Sequence, residues 1–166
     1  MLNTITGPTR EDSMLGQVIE RKLGNVIAEF GGRSVVGKKA GSFFANYNDI
    51  EDKLFKKLDS RLEMDYVIET SSGPIFIDSK TASMTGKCYA KAAVQCTAFK
   101  NKFPNCKIWF IYESLSAEYN SLKTYKDSVR YLDKLINSKI LDGYCKTGWE
   151  NRIVNGNTNS NINKFF

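Results

Sequence analysis

The chain has 166 residues, enough for one domain with a proper core and too few for two comfortable ones. Its hydrophobic fraction of 42% is that of an ordinary globular protein, and its net charge of +6 favours a polyanionic partner, nucleic acid first. There is no histidine, which excludes Ser-His-Asp and Cys-His mechanisms and histidine metal ligands; chemistry must rest on carboxylates, Lys, Tyr, Cys or an oxygen-held metal.

The opening "MLNTITGPTREDSM" lacks a signal-peptide core, and no apolar run approaches a membrane span, so a cytoplasmic location is expected. Residues 14–30, "MLGQVIERKLGNVIAEF", place Leu15, Val18, Ile19, Leu23, Val26, Ile27 and Phe30 at helical spacing. Asp12 or Ser13 would cap that helix and Gly31-Gly32 would end it, with Glu20 on the border of its apolar stripe. The Gly-rich "GGRSVVGKKAGSFFANYND" reads as an irregular excursion carrying Arg33, Lys38 and Lys39. A short amphipathic helix is expected over 50–58, with Lys53, Lys56 and Lys57 outward.

"MDYVIETSSGPIFIDSKTA", residues 64–82, then reads as two strands joined by a tight turn. A helix follows over about 86–103, stopped by Pro104, then the strand "KIWFIYE" at 107–113 and a long amphipathic helix over roughly 117–138. The four cysteines form no C-x-x-C pair and read as free thiols. Residues 1–150 are expected to form a single α/β domain with a mixed sheet, and the Asn-rich 151–166 a flexible polar tail.

The hairpin carries charges that folding alone does not require. Side chains two apart share a strand face, so Asp65 keeps company with Val67 and Glu69, and Asp78 with Phe76 and Lys80. A turn at Ser71-Ser72 sets Asp65 opposite Asp78; one at Ser72-Gly73 sets it opposite Lys80. Both registers bring Asp65, Asp78 and Lys80 to one face. Two facing aspartates repel, and a divalent cation between them removes the problem. Mg²⁺ takes one or two carboxylates plus water and a substrate phosphate. The lysine beside them can contact the attacking water or the charge developing on phosphorus.

A helix carboxylate, an Asp on one strand and D-x-K on the next resemble the PD-(D/E)xK nuclease superfamily. That family includes restriction endonucleases, Holliday-junction resolvases and RecB-type exonucleases. The resemblance runs from Gly16 to about Ser114 and implies a restriction-endonuclease-like mixed sheet flanked by helices. It implies that Asp65 and Asp78 hold Mg²⁺ (Mn²⁺ can substitute), with the backbone carbonyl of Ser79 and the Glu20 carboxylate as further ligands. Lys80 would be the catalytic lysine. Gln95 and Phe99 in "AVQCTAF" resemble the Q-x-x-x-Y element of RecB-type members, with Phe for Tyr, and put Gln95 beside the site.

These residues lead to the expectation of a Mg²⁺-dependent DNA endonuclease, restriction-type or structure-selective, working as a homodimer because two strands need two sites. Arg33, Lys38, Lys39, Lys87 and Lys91 are candidate phosphate contacts. A RecB-like exonuclease, an RNA endonuclease on the same fold, or a non-catalytic basic nucleic-acid-binding module are the alternatives.

Overall fold

Alternation along the hairpin strands organises the molecule. The structure is a computed structural model, and it describes residues 10–37, 41, 43–50, 61–81, 84–112 and 122–145. Helix α1 (Arg10–Glu29) leads to a two-residue strand β1 (Arg33–Ser34). Two more short strands, β2 (Ala45–Asn46) and β3 (Arg61–Leu62), pair as a separate ribbon. Then come β4 (Tyr66–Thr70), β5 (Gly73–Lys80), α2 (Gly86–Lys102), β6 (Lys107–Tyr112), α3 (Leu122–Asn137) and β7 (Gly143–Cys145).

The main sheet has the order β1-β4-β5-β6-β7. Its first two pairings are antiparallel, and β5–β6 and β6–β7 are parallel. The chain is thus mixed α/β, with β4 and β5 inside the sheet, as their apolar residues on both faces require. Ile68, Ile75, Ile77 and Ile111 meet Ile19, Leu23 and Ile27 of α1 on one face. Val67, Phe76, Ile108 and Phe110 meet Cys96 and Phe99 of α2 and Leu132 and Leu135 of α3 on the other.

Turn chemistry settles the register. Thr70 pairs with Gly73 across Ser71-Ser72, and the ladder descends through Val67↔Phe76 to Tyr66↔Ile77. The Ser72 N–H donates to Thr70 Oγ1, which donates to the Gly73 carbonyl at 2.7 Å. Gly73 has φ +120°, and a Cβ there would stand 2.4 Å from the Asn105 carbonyl oxygen. A side chain is therefore excluded twice over, by conformation and by space. The next pair down is Asp65 and Asp78, the first of the two registers the sequence allowed.

Several expectations move. Helix α1 covers Arg10–Glu29, so Asp12 and Ser13 lie within its span and not ahead of it. Strand β4 starts at Tyr66, two residues after Met64, because the Asp65 side chain takes over where a backbone acceptor would continue the ladder. The 50–58 helix beyond Ile50, Lys38, Lys39, Lys53, Lys56, Lys57, the first residues of the 117–138 helix and the 151–166 tail lie outside the described residues. Strands β1, β2, β3 and β7 carry no sequence signal; three of them are two residues long. Cys96, Cys106 and Cys145 are buried and Cys88 half-buried, all as free thiols. Among the described residues no helix is long and apolar enough to cross a membrane.

Candidate active site

The site forms where β4 ends before β5 does. Beyond Tyr66↔Ile77 the Ser79 N–H has no strand partner on that side, and Asp65 Oδ2 accepts it at 2.8 Å. The Ser79 hydroxyl donates to the same oxygen at 3.0 Å. In return, the Asp65 N–H donates to Asp78 Oδ1 at 3.1 Å, and the Asp65 carbonyl accepts from Val35 N–H. One carboxylate oxygen of Asp65 is thereby anchored, and its backbone ties it to the Asp78 carboxylate. Desolvation first, then the neighbouring Asp78, pushes the Asp65 carboxyl up to about 8. Without a cation the Asp65 carboxyl keeps its proton at neutral pH.

Asp78 is almost fully buried on the α2 face. Its Oδ2 accepts a hydrogen bond from Lys80 Nζ within an ion pair, and Gln95 Nε2 stands 3.4 Å away. Lys80 also donates to Gln95 Oε1 at 3.1 Å, and its ammonium lies 5.0 Å from the centre of the Phe110 ring. Burial works to lower the Lys80 pKa, but the Asp78 carboxylate, its hydrogen bond and Asp65 outweigh this and raise it. The amine stays an ammonium at neutral pH. Gln95 is buried and its amide is fixed at both ends, since Nε2 donates to the Glu63 carbonyl. Asp65, Asp78, Lys80 and Gln95 are thus brought together.

Glu20 reaches the group by another route. It sits on α1, across the sheet from Asp78 and Lys80, and the Tyr66 hydroxyl donates to its backbone carbonyl at 2.6 Å. Its carboxyl is exposed; what desolvation it has, then Asp78, raises its pKa, and Asp65 in turn feels Glu20. Its link to the aspartates is electrostatic, with no hydrogen bond between them.

The donors fit a hard cation in kind: two facing carboxyl groups and oxygen ligands only. The Ser79 N–H points towards Asp65, and in extended backbone the carbonyl of the same residue lies on the same edge. Asp65, Asp78 and that carbonyl are the groups that would hold Mg²⁺, with Glu20 behind them. Among the described residues, however, no three Asp, Glu, Cys or His side chains are grouped closely enough to hold a metal ion. Lys80 occupies one oxygen of Asp78 and Ser79 one of Asp65.

Of the candidate phosphate contacts, Arg33 is exposed on the edge strand β1, with its guanidinium 5.2 Å from the Phe43 ring centre. Lys87 and Lys91 are exposed one turn apart on α2, upstream of Gln95. Glu63 and Glu69 stand apart from the cluster. Glu69 is exposed, and the Glu63 carboxylate accepts from the Gly37 N–H and pairs with Arg61 at 3.0 Å. The roles of the Ser79 hydroxyl, Tyr66 and the Glu63 carbonyl have no sequence signal, because each depends on where β4 stops. Cys96 lies beside the site, but burial pushes its thiol up to about 12, so it is a neutral neighbour and no nucleophile. No protein-family model, curated protein or solved structure matches this chain.

Proposed function

We propose that this protein is a metal-dependent nuclease that hydrolyses phosphodiester bonds in DNA, on a restriction-endonuclease-like fold. One observation carries the reading: Asp65 and Asp78 face each other at the open end of a strand ladder, with Lys80 held beside them by Gln95. A structural role explains this arrangement poorly. Two carboxylates set face to face in a largely buried place repel and weaken the fold they sit in, whereas a cation makes the same placement favourable.

Bound Mg²⁺, or Mn²⁺ in its place, would supply an activated water and neutralise charge on the scissile phosphate. The chain's own residues then have separate tasks. Ser79 holds one oxygen of Asp65 through two hydrogen bonds and so fixes the carboxyl group beside Asp78. Lys80, kept as an ammonium, donates to the phosphate oxygens as negative charge grows on them, so it acts as an electrostatic stabiliser and not as a base. Gln95 fixes the position of Lys80, since its other end is tied to the Glu63 carbonyl. Glu20, with its pKa raised by desolvation and by Asp78, would orient the attacking water or take its proton. A homodimer would supply the second site needed to cut both strands.

Cleavage of closed-circular DNA with Mg²⁺ or Mn²⁺, abolished by EDTA and by Asp78→Ala or Lys80→Ala, is the expected result. Cleavage that survives both substitutions would refute the site. Linear duplex, a four-way junction and single-stranded RNA run alongside separate endonuclease, exonuclease and RNA cleavage. Tight, salt-dependent binding without any cutting would instead mean a binding module.

A further inference from the structure

A second cluster of charge lies along the same helix as Gln95. Phe44 has the Arg61 guanidinium 4.3 Å from its ring centre and the Lys102 ammonium also at 4.3 Å. The adjacent Phe43 packs edge-on to Phe76 and carries Arg33 at 5.2 Å. Three cations therefore crowd round two neighbouring rings. Cation–π attraction holds such groups in place without neutralising their charge. Arg61 pairs with Glu63, and Lys102 has no ion-pair partner among the described residues. Arg61 keeps 41% of its side chain exposed, and Phe44 and Lys102 are half-buried. The charge is presented to solvent.

Its position relative to the catalytic group is fixed. Lys102 follows Gln95 by seven residues of α2, two turns on the same side and a rise of about 10 Å. Phe76, beneath Phe43, shares the α2 face of β5 with Asp78 and Lys80. Arg61 connects to the site itself, because Glu63, its ion-pair partner, supplies the carbonyl that fixes Gln95. Phosphates follow one another at spacings a little over half of that 10 Å. A strand that puts one phosphate at Lys80 and runs along α2 would carry another, one or two nucleotides on, towards Arg61 and Lys102.

We propose that Arg61 and Lys102, spaced by Phe44, form a backbone subsite for phosphates flanking the scissile bond, with Arg33 at its margin. The inference rests on the nuclease reading for its substrate, and the experiment keeps the two apart. Binding of labelled duplex DNA and of single-stranded RNA is measured in EDTA, on an Asp78→Ala background, between 50 and 200 mM salt. Removing one phosphate-binding cation lowers the slope of log affinity against log salt by about 0.9 for duplex DNA. Lys102→Ala is expected to lower it by about that amount, and Arg61→Gln with Lys102→Ala by about twice as much. Lys102→Glu is expected to weaken binding roughly tenfold at 100 mM salt. Melting curves identify any variant that fails to fold, and Lys102→Ala alone breaks no described ion pair.

A slope change confined to the RNA arm supports the subsite and assigns it to RNA. Affinity and slope that match the parent in folded variants would overturn it, as would a parent that binds neither nucleic acid. Cleavage by the unsubstituted protein is scored separately. Cutting with unchanged slopes removes the subsite alone; normal slope changes without cutting remove the nuclease reading alone.

Discussion

The two faces of the β4–β5 hairpin are built from opposite materials. Towards α1 the strands offer Ile68, Ile75 and Ile77, all 2% exposed or less, against Ile19, Leu23 and Ile27. Towards α2 the same strands offer Val67 and Phe76 and then, at the open end, Asp78 and Lys80 with Gln95. One face is mainly β-branched packing, and the hydroxyls it carries, those of Tyr66 and Ser79, lie at its open end. The other gives up part of its core to three ionisable groups, counting Asp65, and an amide that answers one of them. Alternation makes this possible: a strand can place an ion beside an isoleucine without either entering the other's environment. The difference separates what holds the hairpin from what the hairpin holds.

Neighbouring substitutions break that comparison most sharply. Asp78→Asn keeps the shape of the side chain and removes the charge. Cleavage is expected to fall by a factor on the order of 10³, with little loss of melting temperature. Ile77→Val, one residue back and on the other face, is expected to cost about 1 kcal/mol of stability and leave the rate per folded molecule unchanged. Paired melting and single-turnover assays test both. A stability loss at Asp78 equal to that at Ile77, with no loss of rate, would make the polar face structural.

The next effect follows from protonation. In the metal-free protein Asp65 keeps its proton up to about pH 8, whereas in the unfolded chain it is lost near 3.8. Between those values the native state binds more protons than the unfolded one, so stability falls as pH rises through the window and levels off above it. Glu20, also raised, adds to the same slope. Lys80 is raised too, but the stability it contributes is lost only above pH 10.5, outside the window. Asp65→Asn supplies an amide where the native carboxyl holds its proton. At pH 8 in EDTA it is expected to stabilise the fold by roughly 1–2 kcal/mol, solvent screening part of the shift, while abolishing cleavage. Melting from pH 4 to 9 with EDTA checks it; an unchanged slope in the variant would count against the coupled pair. Mg²⁺ at pH 8 should raise the melting temperature of the parent and not of the variant.

That Asp65, Asp78 and Lys80 share a face could be foreseen, because both possible turns preserve parity; that Asp65 faces Asp78 follows only from the Thr70–Gly73 pairing across Ser71-Ser72. The fold beyond the hairpin was readable where periodicity was long, in α1, α2 and β6, and not in two-residue strands. Gly143 shows why β7 was invisible: its placement answers to the Trp109 ring, which a Cβ would meet at 2.5 Å, and that contact is 34 residues away in sequence. Glu20 was legible as a helix carboxylate near an apolar border but not as one approaching from across the sheet. Helical spacing gives the face of a helix, never the face of the sheet that receives it. Arg61 and Lys102 were lost among the other cations for the same reason, since only the packing of Phe44 brings them together.

The smallest effect tests the one contact by which the apolar face serves the polar one. Tyr66 belongs to the α1 side of the hairpin, yet its hydroxyl ends on the Glu20 carbonyl and fixes that turn of the helix against the strand end. The fit is close, since a Cβ on Gly24, one turn further along, would lie 3.0 Å from the same hydroxyl. Tyr66→Phe removes a single neutral, partly exposed hydrogen bond, so a stability loss of about 0.5–1 kcal/mol is expected. Gly24→Ala moves the ring without removing the bond and gains some helix propensity, which should offset part of its cost. If Glu20 acts on the water, both variants lower the cleavage rate severalfold while leaving metal affinity nearly unchanged, and Glu20→Gln lowers it further. If Glu20 is only a surface charge, both lose stability and keep the rate. The ratio of rate to stability loss at Tyr66 therefore decides whether α1 is part of the site or only its support.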